Sequence, residues 1–369
     1  MMQDRSQEAS GISGLVDNDS DRKHHHGLSR RKFLKVAGMG AAGVFLFGAG
    51  RLKAASDGIA GLYAGLDSEK YLGAVRTEVR VTGPEVFLEG PAVNRAGEVF
   101  FTNTSLPRIL KWAPQQQSLT VFRYHSHHAN GLLFDPEGRL LACEGDGRIT
   151  RTDMRTGAVE VLADGYRGHP LEAPNDLALD SKGRIYFSSR PGGSVPSKGY
   201  VNAVYRIDPD GSIHQILRAP EVQMPNGLVV SPDDRTFYLI EAHSGEGHYR
   251  HITAYDLGED GTVSNPRILI DFYPGRSGDG MCIDREGNLY VGAGLHHLRG
   301  TSETLDTKPG VHVISPSGEL LAYAETPMDT ITNCTFGGKD LRTLYAVCGD
   351  VLVSMHTGIP GDPRYRPER

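Results

Sequence analysis

Apolar residues along this chain fall in short alternating runs, split by turns marked with Gly, Asp and Pro, and one such sentence recurs. From Glu89 it reads "EGPAVNRAGEVFFTN", from Asn130 "NGLLFDPEGRLLACEG", and from Ala173 "APNDLALDSKGRIYFSS". It returns at Asn226 as "NGLVVSPDDRTFYLIEA", at Asp279 as "DGMCIDREGNLYVGAG", and at Asn333 as "NCTFGGKDLRTLYAVCG". Alternation over these lengths predicts strands, and the turn between each pair predicts a hairpin. The leading polar residues, Glu89, Asn130, Asn175, Asn226, Asp279 and Asn333, are spaced by 41, 45, 51, 53 and 54 residues.

Each unit continues into a second hairpin pattern. "RITRTDMRTGAVEVLADG" turns at Arg155–Gly157, "AVYRIDPDGSIHQILRA" at Pro209–Gly211, and "GVHVISPSGELLAYAE" at Pro316–Gly318. Four antiparallel strands recurring at this period predict a β-propeller blade. The last unit is short by one strand, and "AVRTEVRVTG" (Ala74 to Gly83) stands unassigned upstream. The fold expected is therefore all-β: a six-bladed propeller of four-stranded blades over residues 74–360, its ring closed by that N-terminal strand, which would hide an otherwise open edge. A β-sandwich is the competing architecture.

In a propeller, residues just before the innermost strands gather at one mouth of the central channel. Here those positions carry two carboxylates and four amides, and no Lys or Arg. Carboxylate and amide oxygens are hard ligands suited to Ca²⁺. Asn-Gly is also a turn dipeptide, so each Asn taken alone has a simpler explanation at Asn130 and Asn226. The carboxylates are harder to explain away, because Glu89 and Asp279 precede apolar strands where an unpaired charge is costly.

Composition changes this picture mainly at the N-terminus. "SRRKFLK" (Ser29 to Lys35) precedes the uncharged run "VAGMGAAGVFLFGAG", the pattern of a twin-arginine export signal. Residues 1–55 are expected to be that signal with a polar extension, residues 56–73 a linker, and 361–369 a tail. Cleavage near Ala54–Ala55 and an uncleaved anchor both remain open; the run is short and Gly-rich for a membrane span. Beyond residue 55 the chain keeps 30 Lys and Arg against 40 Asp and Glu, with no basic run, which argues against a nucleic-acid partner. Cys143, Cys282, Cys334 and Cys348 show no CxxC spacing and are expected as buried free thiols, Cys282 as a small core residue.

At "MPNGLVVSPDDRTFYL", "GDGMCIDREGNLYVGA" and "NCTFGGKDLRTLYAV" the chain resembles the regucalcin (senescence marker protein)/gluconolactonase family. The resemblance covers nearly the whole chain beyond the signal. It implies a divalent cation, best matched by Ca²⁺ with Zn²⁺, Mg²⁺ or Mn²⁺ as alternatives, held by Glu89, Asn175, Asn226 and Asp279. Asn130, Asn333 and His128 would line the substrate pocket. It implies hydrolysis of a lactone such as gluconolactone, with Asp279 the candidate proton acceptor or nucleophile and a purely structural ligand as its other reading. A phosphotriesterase-like hydrolase and a non-catalytic propeller that binds a partner around a structural metal are the alternatives.

One departure bears on substrate. Regucalcin-like members carry an Arg two residues before the third leader, where this chain has Ala173. Long loops carry histidines instead: "HSHHANG" (His125, His127, His128), "EAHSGEGHYRH" (His243, His248, His251) and "GLHHLRG" (His296, His297). They are candidates for a second metal site, an acid–base partner, or solvated loop residues. His128 is expected near the mouth; His243 and His296, following second strands, are expected at the opposite end. "SRPGGSVPSKGY" (Ser189 to Tyr200) reads as a lid or a plain connection. A small-molecule substrate, the twin-arginine export machinery, a monomer or dimer, and a periplasmic or secreted location complete the expectations.

Overall fold

A computed structural model describes residues 62–191 and 202–365, all within the unit Arg51–Arg369. The signal region lies outside the described residues, as do the first part of the linker and most of the Ser189–Tyr200 loop. Six four-stranded antiparallel sheets follow one another along the chain, each meandering from an inner strand outward. The inner strands are Leu88–Val93, Ala129–Phe134, Ala173–Leu179, Pro225–Val230, Gly278–Ile283 and Ile331–Gly337, and each packs against the next around a closed ring. The predicted six-bladed propeller is therefore observed. Strand Arg76–Arg80 pairs with Val351–His356 and completes the sixth blade, so the first and last parts of the domain share one sheet.

The hairpins form where the turn chemistry asked for them. At Asp135–Gly138 the Asp135 carboxylate takes the Arg139 N–H at 2.8 Å. Gly138 adopts φ +79°, a left-handed conformation that costs Gly least. Apolar side chains on the blade faces then meet between neighbouring blades. Six core clusters result, one per blade interface, such as Val229, Ile240 and Ile252 against Met281, Leu289 and Val291 between the fourth and fifth. Each fully buried aliphatic side chain contributes about 1.5–3 kcal/mol. The mass of the core thus lies between blades and leaves the mouth of the axis free to be polar.

Two segments expected as connections are docked. In the stretch before the first strand, Leu72 joins the cluster between the fifth and sixth blades. Nearby, Tyr63 Oη lies 2.9 Å from His312 Nε2 and accepts from Lys308 N at 3.1 Å. At the other terminus Asp362 N donates to Ile283 O at 3.1 Å, and Arg364 forms ion pairs with Asp234 and Asp362. Asp362 lines the central cavity, so the C-terminal segment closes the channel at the end away from the leaders. Among the described residues no helix is long and apolar enough to cross a membrane.

Candidate active site

The leaders owe their direction to a repeated irregularity. In the second to fifth blades, pairing with the second strand skips one step at the leader and its successor: Asn130–Gly131, Asn175–Asp176, Asn226–Gly227 and Asp279–Gly280. Two residues thus face one, as in a β-bulge, which re-aims a side chain at a strand's end. In the first blade the skip falls just after Glu89, and in the sixth just before Asn333. The glycines that follow let strands approach closely: a Cβ on Gly90 would strike the Asn130 backbone, and one on Gly280 the Asn333 side chain. In the third and sixth blades the successor is not Gly but Asp176 and Cys334.

Among the leaders, Asn226 and Asp279 are in direct contact. Asn226 Nδ2 donates to Asp279 Oδ1 at 2.6 Å, and the other Asp279 oxygen is paired with Arg276. Arg276 is buried and also donates to Ile331 O at 3.0 Å. Across the channel, Asn333 Nδ2 donates to Asp176 Oδ2 at 3.0 Å, while Asp176 Oδ1 accepts from Leu177 N at 2.9 Å. Glu89 is 4% exposed, yet among the described residues its carboxylate accepts only one long bond, from Gly90 N at 3.4 Å. Burial raises the Glu89 pKa well above the usual range, and the Asp279 and Asp176 carboxylates raise it further, against a smaller opposing effect of Arg190. Burial likewise pushes Asp176 up to about 7.

Two buried carboxyl groups, Glu89 and Asp176, therefore share the mouth with the partly buried Asp279, and no ion pair reaches Glu89 among the described residues. That is a site short of positive charge, and its donors are hard oxygens, so a divalent cation of the Ca²⁺ type fits it. No three His, Cys, Asp or Glu side chains among the described residues form a metal site unaided. The amides of Asn175 and Asn226 would have to complete the set. Asn226 at present turns its nitrogen toward Asp279, and a half-turn of the amide would present its oxygen instead.

Asn130 stands at the same level, its backbone carbonyl accepting from Thr102 Oγ1 at 3.0 Å. His128 is at this end but outside the cluster, its half-exposed ring paired through Nδ1 with Asp146 at 2.8 Å. The expectation that His243 and His296 lie at the opposite end is corrected. Pro225 pairs with Glu241, and Gly278 with Ala293, so the ends of second strands sit beside the leaders. Antiparallel pairing brings the return strand back to where its partner began. His243 stacks on His248 with ring centres 3.8 Å apart, and His296 Nε2 lies 2.9 Å from Thr326 O.

Sequence reasoning missed three participants. Asp176 was legible as a charged residue in a slot held by Gly in four other blades. Arg276, three residues before Asp279, carried no signal of its own. Arg190 is the cross-strand partner of Ala173 and acts on the carboxyls of both Glu89 and Asp176. A guanidinium is thus present beside the position where the resembling family carries one.

Fold and site together define a six-bladed propeller with an acidic, amide-lined axial mouth. Residues 87–348 match the SMP-30/Gluconolactonase/LRE-like region, and the chain belongs to that family. It is 27% identical to the gluconolactonase of Zymomonas mobilis over 314 residues, covering 77% of this chain and 82% of that one. A solved gluconolactonase from Xanthomonas campestris is 28% identical with a TM-score of 0.67, covering 79% of this chain and 93% of that one. A calcium-binding regucalcin from Agrobacterium tumefaciens shares the fold at 17% identity and a TM-score of 0.63, covering 81% and 97%.

Proposed function

We propose that this chain hydrolyses a lactone of the gluconolactone class at the axial mouth, using one divalent cation, best matched by Ca²⁺. The enzyme class, a gluconolactonase-like lactone hydrolase, follows from its relatives. The observation that carries the metal reading is Glu89, a buried carboxyl repelled by those of Asp279 and Asp176 and joined by no ion pair among the described residues, with Arg190 only partly offsetting that repulsion. Glu89, Asn175, Asn226 and Asp279 would hold the ion. When bound, it would polarise the lactone carbonyl and make a nearby water more acidic.

The chain's own residues then have distinct tasks. Turning the Asn226 amide to present oxygen releases Asp279 Oδ1, which becomes free to take a proton from the attacking water. Arg276 keeps Asp279 Oδ2 fixed, so the accepting oxygen is oriented from behind. Asn333 and Asp176 span the channel through their hydrogen bond, joining the sixth blade to the third beside the proposed ligands. Asn130 and the rim around His128 would contact the remainder of the substrate.

The test is acid release at constant pH over a panel of sugar lactones, alkyl lactones, esters and a phosphate triester, with metal content measured on the same sample. Turnover of a lactone with about one bound divalent ion supports the proposal. Bound metal with no turnover on any panel member moves the assignment to a binding propeller, and triester turnover alone to a phosphotriesterase-like hydrolase. We further propose export to the periplasm through the twin-arginine machinery, on the strength of Arg30 and Arg31 in "SRRKFLK". Retention in the cytoplasm by the wild-type chain, unchanged by Arg30→Lys with Arg31→Lys, contradicts it.

A further inference from the structure

We propose that Cys282 and Cys334 form a site of oxidative cross-linking, a reversible disulfide tying the fifth blade to the sixth inside the channel. Their sulfurs lie 3.5 Å apart although 52 residues separate them in sequence. Both side chains line the cavity that continues from Asp176 and Asn333 toward the C-terminal segment. Cys282 is only partly buried, whereas Cys334 is buried and donates its thiol to Tyr290 O at 3.1 Å. Cys143 and Cys348 are buried and free, and neither contacts another sulfur among the described residues. The pair is thus set apart from the other two thiols by contact, by access and by joining separate sheets.

The oxidant is hydrogen peroxide. The cavity measures about 50 Å³, and a water needs roughly 10–15 Å³ on this measure, so a molecule of peroxide size can be held. The Cys282 sulfur, after losing its proton, attacks one peroxide oxygen; the O–O bond breaks, leaving a sulfenic acid and one water. The Cys334 sulfur then attacks the Cys282 sulfur, the S–O bond breaks, a second water leaves and the S–S bond forms. In sum two thiols lose two electrons and two protons, and one peroxide becomes two waters. The sulfurs must close from 3.5 Å to about 2.05 Å, a movement shared by two side chains on packed neighbouring strands. Burial holds the Cys282 thiol well above its ordinary pKa, so the first step is slow and the pair stays reduced without sustained peroxide.

The new bond would join the strands that carry Asp279 and Asn333 to the axis, and would clasp the ring-closing blade to its neighbour. It closes a loop of about 50 residues, so the thermal midpoint should rise by several degrees. The experiment treats the purified protein with hydrogen peroxide and maps its peptides without reduction, beside Cys282→Ser and Cys334→Ser. Expected are loss of two hydrogen masses, one linked peptide pair holding Cys282 and Cys334, reversal by dithiothreitol, and no link in either variant. Free thiols after treatment, oxygen added to Cys282 without a link, or a link through Cys143 or Cys348 would each overturn the proposal. Wild-type mapping alone decides it if a serine variant fails to fold.

Discussion

Asn333 Nδ2 donates to Asp176 Oδ2 at 3.0 Å, joining the sixth blade to the third across the central channel. These blades stand opposite in a ring of six, so this bond ties far walls together, and the Asp176 carboxyl is close enough to that of Glu89 to raise its pKa. Asp176→Ala should leave the buried Asn333 amide without its acceptor and cost about 1–3 kcal/mol. Asp176→Asn keeps an acceptor for that amide but removes the charge. It should fold nearly as well and bind Ca²⁺ about tenfold more weakly, a loss of about 1.4 kcal/mol. Denaturant melts and calorimetric titration separate the two effects; equal Ca²⁺ affinity in wild type and Asp176→Asn would remove Asp176 from the site.

Asp279 is held on both oxygens, by Asn226 and by Arg276. Asp279→Asn retains an acceptor for Arg276, so the fold should survive while turnover falls about 10²–10⁴-fold, the usual worth of a general base. Asp279→Ala differs. It leaves the Arg276 guanidinium, 5% exposed, with neither the counter-charge nor the acceptor oxygen that Asn would keep, and should cost about 3–5 kcal/mol. Initial rates and melting curves on both variants check this, and full activity in Asp279→Asn contradicts the assigned role.

Much of this arrangement was legible in the chain. The recurrence of a polar leader, two alternating runs and a turn is local information, and it specified six blades and the inner strand of each. What escaped was non-local. Asp176 looked like a neighbour of Asn175 until its bond to Asn333, 157 residues away, placed it across the axis. Arg276 and Arg190 gain meaning only from what lies beside them in space. His243 and His296 were put at the wrong end because strand direction was followed without its antiparallel return. The linker and tail read as polar connections because Tyr63, Leu72 and Arg364 are single anchors without periodicity.

Gly280 tests the closeness of the inner strands. Its φ is not left-handed, so Gly280→Ala acts by volume alone, driving a Cβ into the Asn333 side chain. The expected cost is about 1–3 kcal/mol, as for other overpacked sites, with activity falling as Asn333 moves. Gly73→Ala, whose new Cβ would meet His356 at an ordinary 3.4 Å, should stay within about 0.5 kcal/mol of wild type.

Glu241 gives a pH prediction. The residue is 2% exposed, one carboxyl oxygen accepting from Gln223 N and Met224 N while the other has no hydrogen-bond partner among the described residues. Burial pushes its pKa from 4.5 up to about 7. The folded state then holds the proton more tightly than the unfolded one. Its contribution is therefore complete below about pH 4.5 and lost as pH rises through about 7, on the order of 3 kcal/mol. Glu241→Gln does not titrate, so relative to wild type it should gain stability between pH 5 and pH 8. Parallel melting curves in both buffers check this, and a constant difference contradicts it.

The most direct measurement is gluconolactone hydrolysis by protein stripped of metal with a chelator, then returned to Ca²⁺ in small steps, beside Asp279→Asn. The rate should fall to the uncatalysed level on stripping, recover as about one equivalent of Ca²⁺ binds, and stay low in the variant throughout. Undiminished hydrolysis by the stripped protein, or full recovery in Asp279→Asn, would contradict the account.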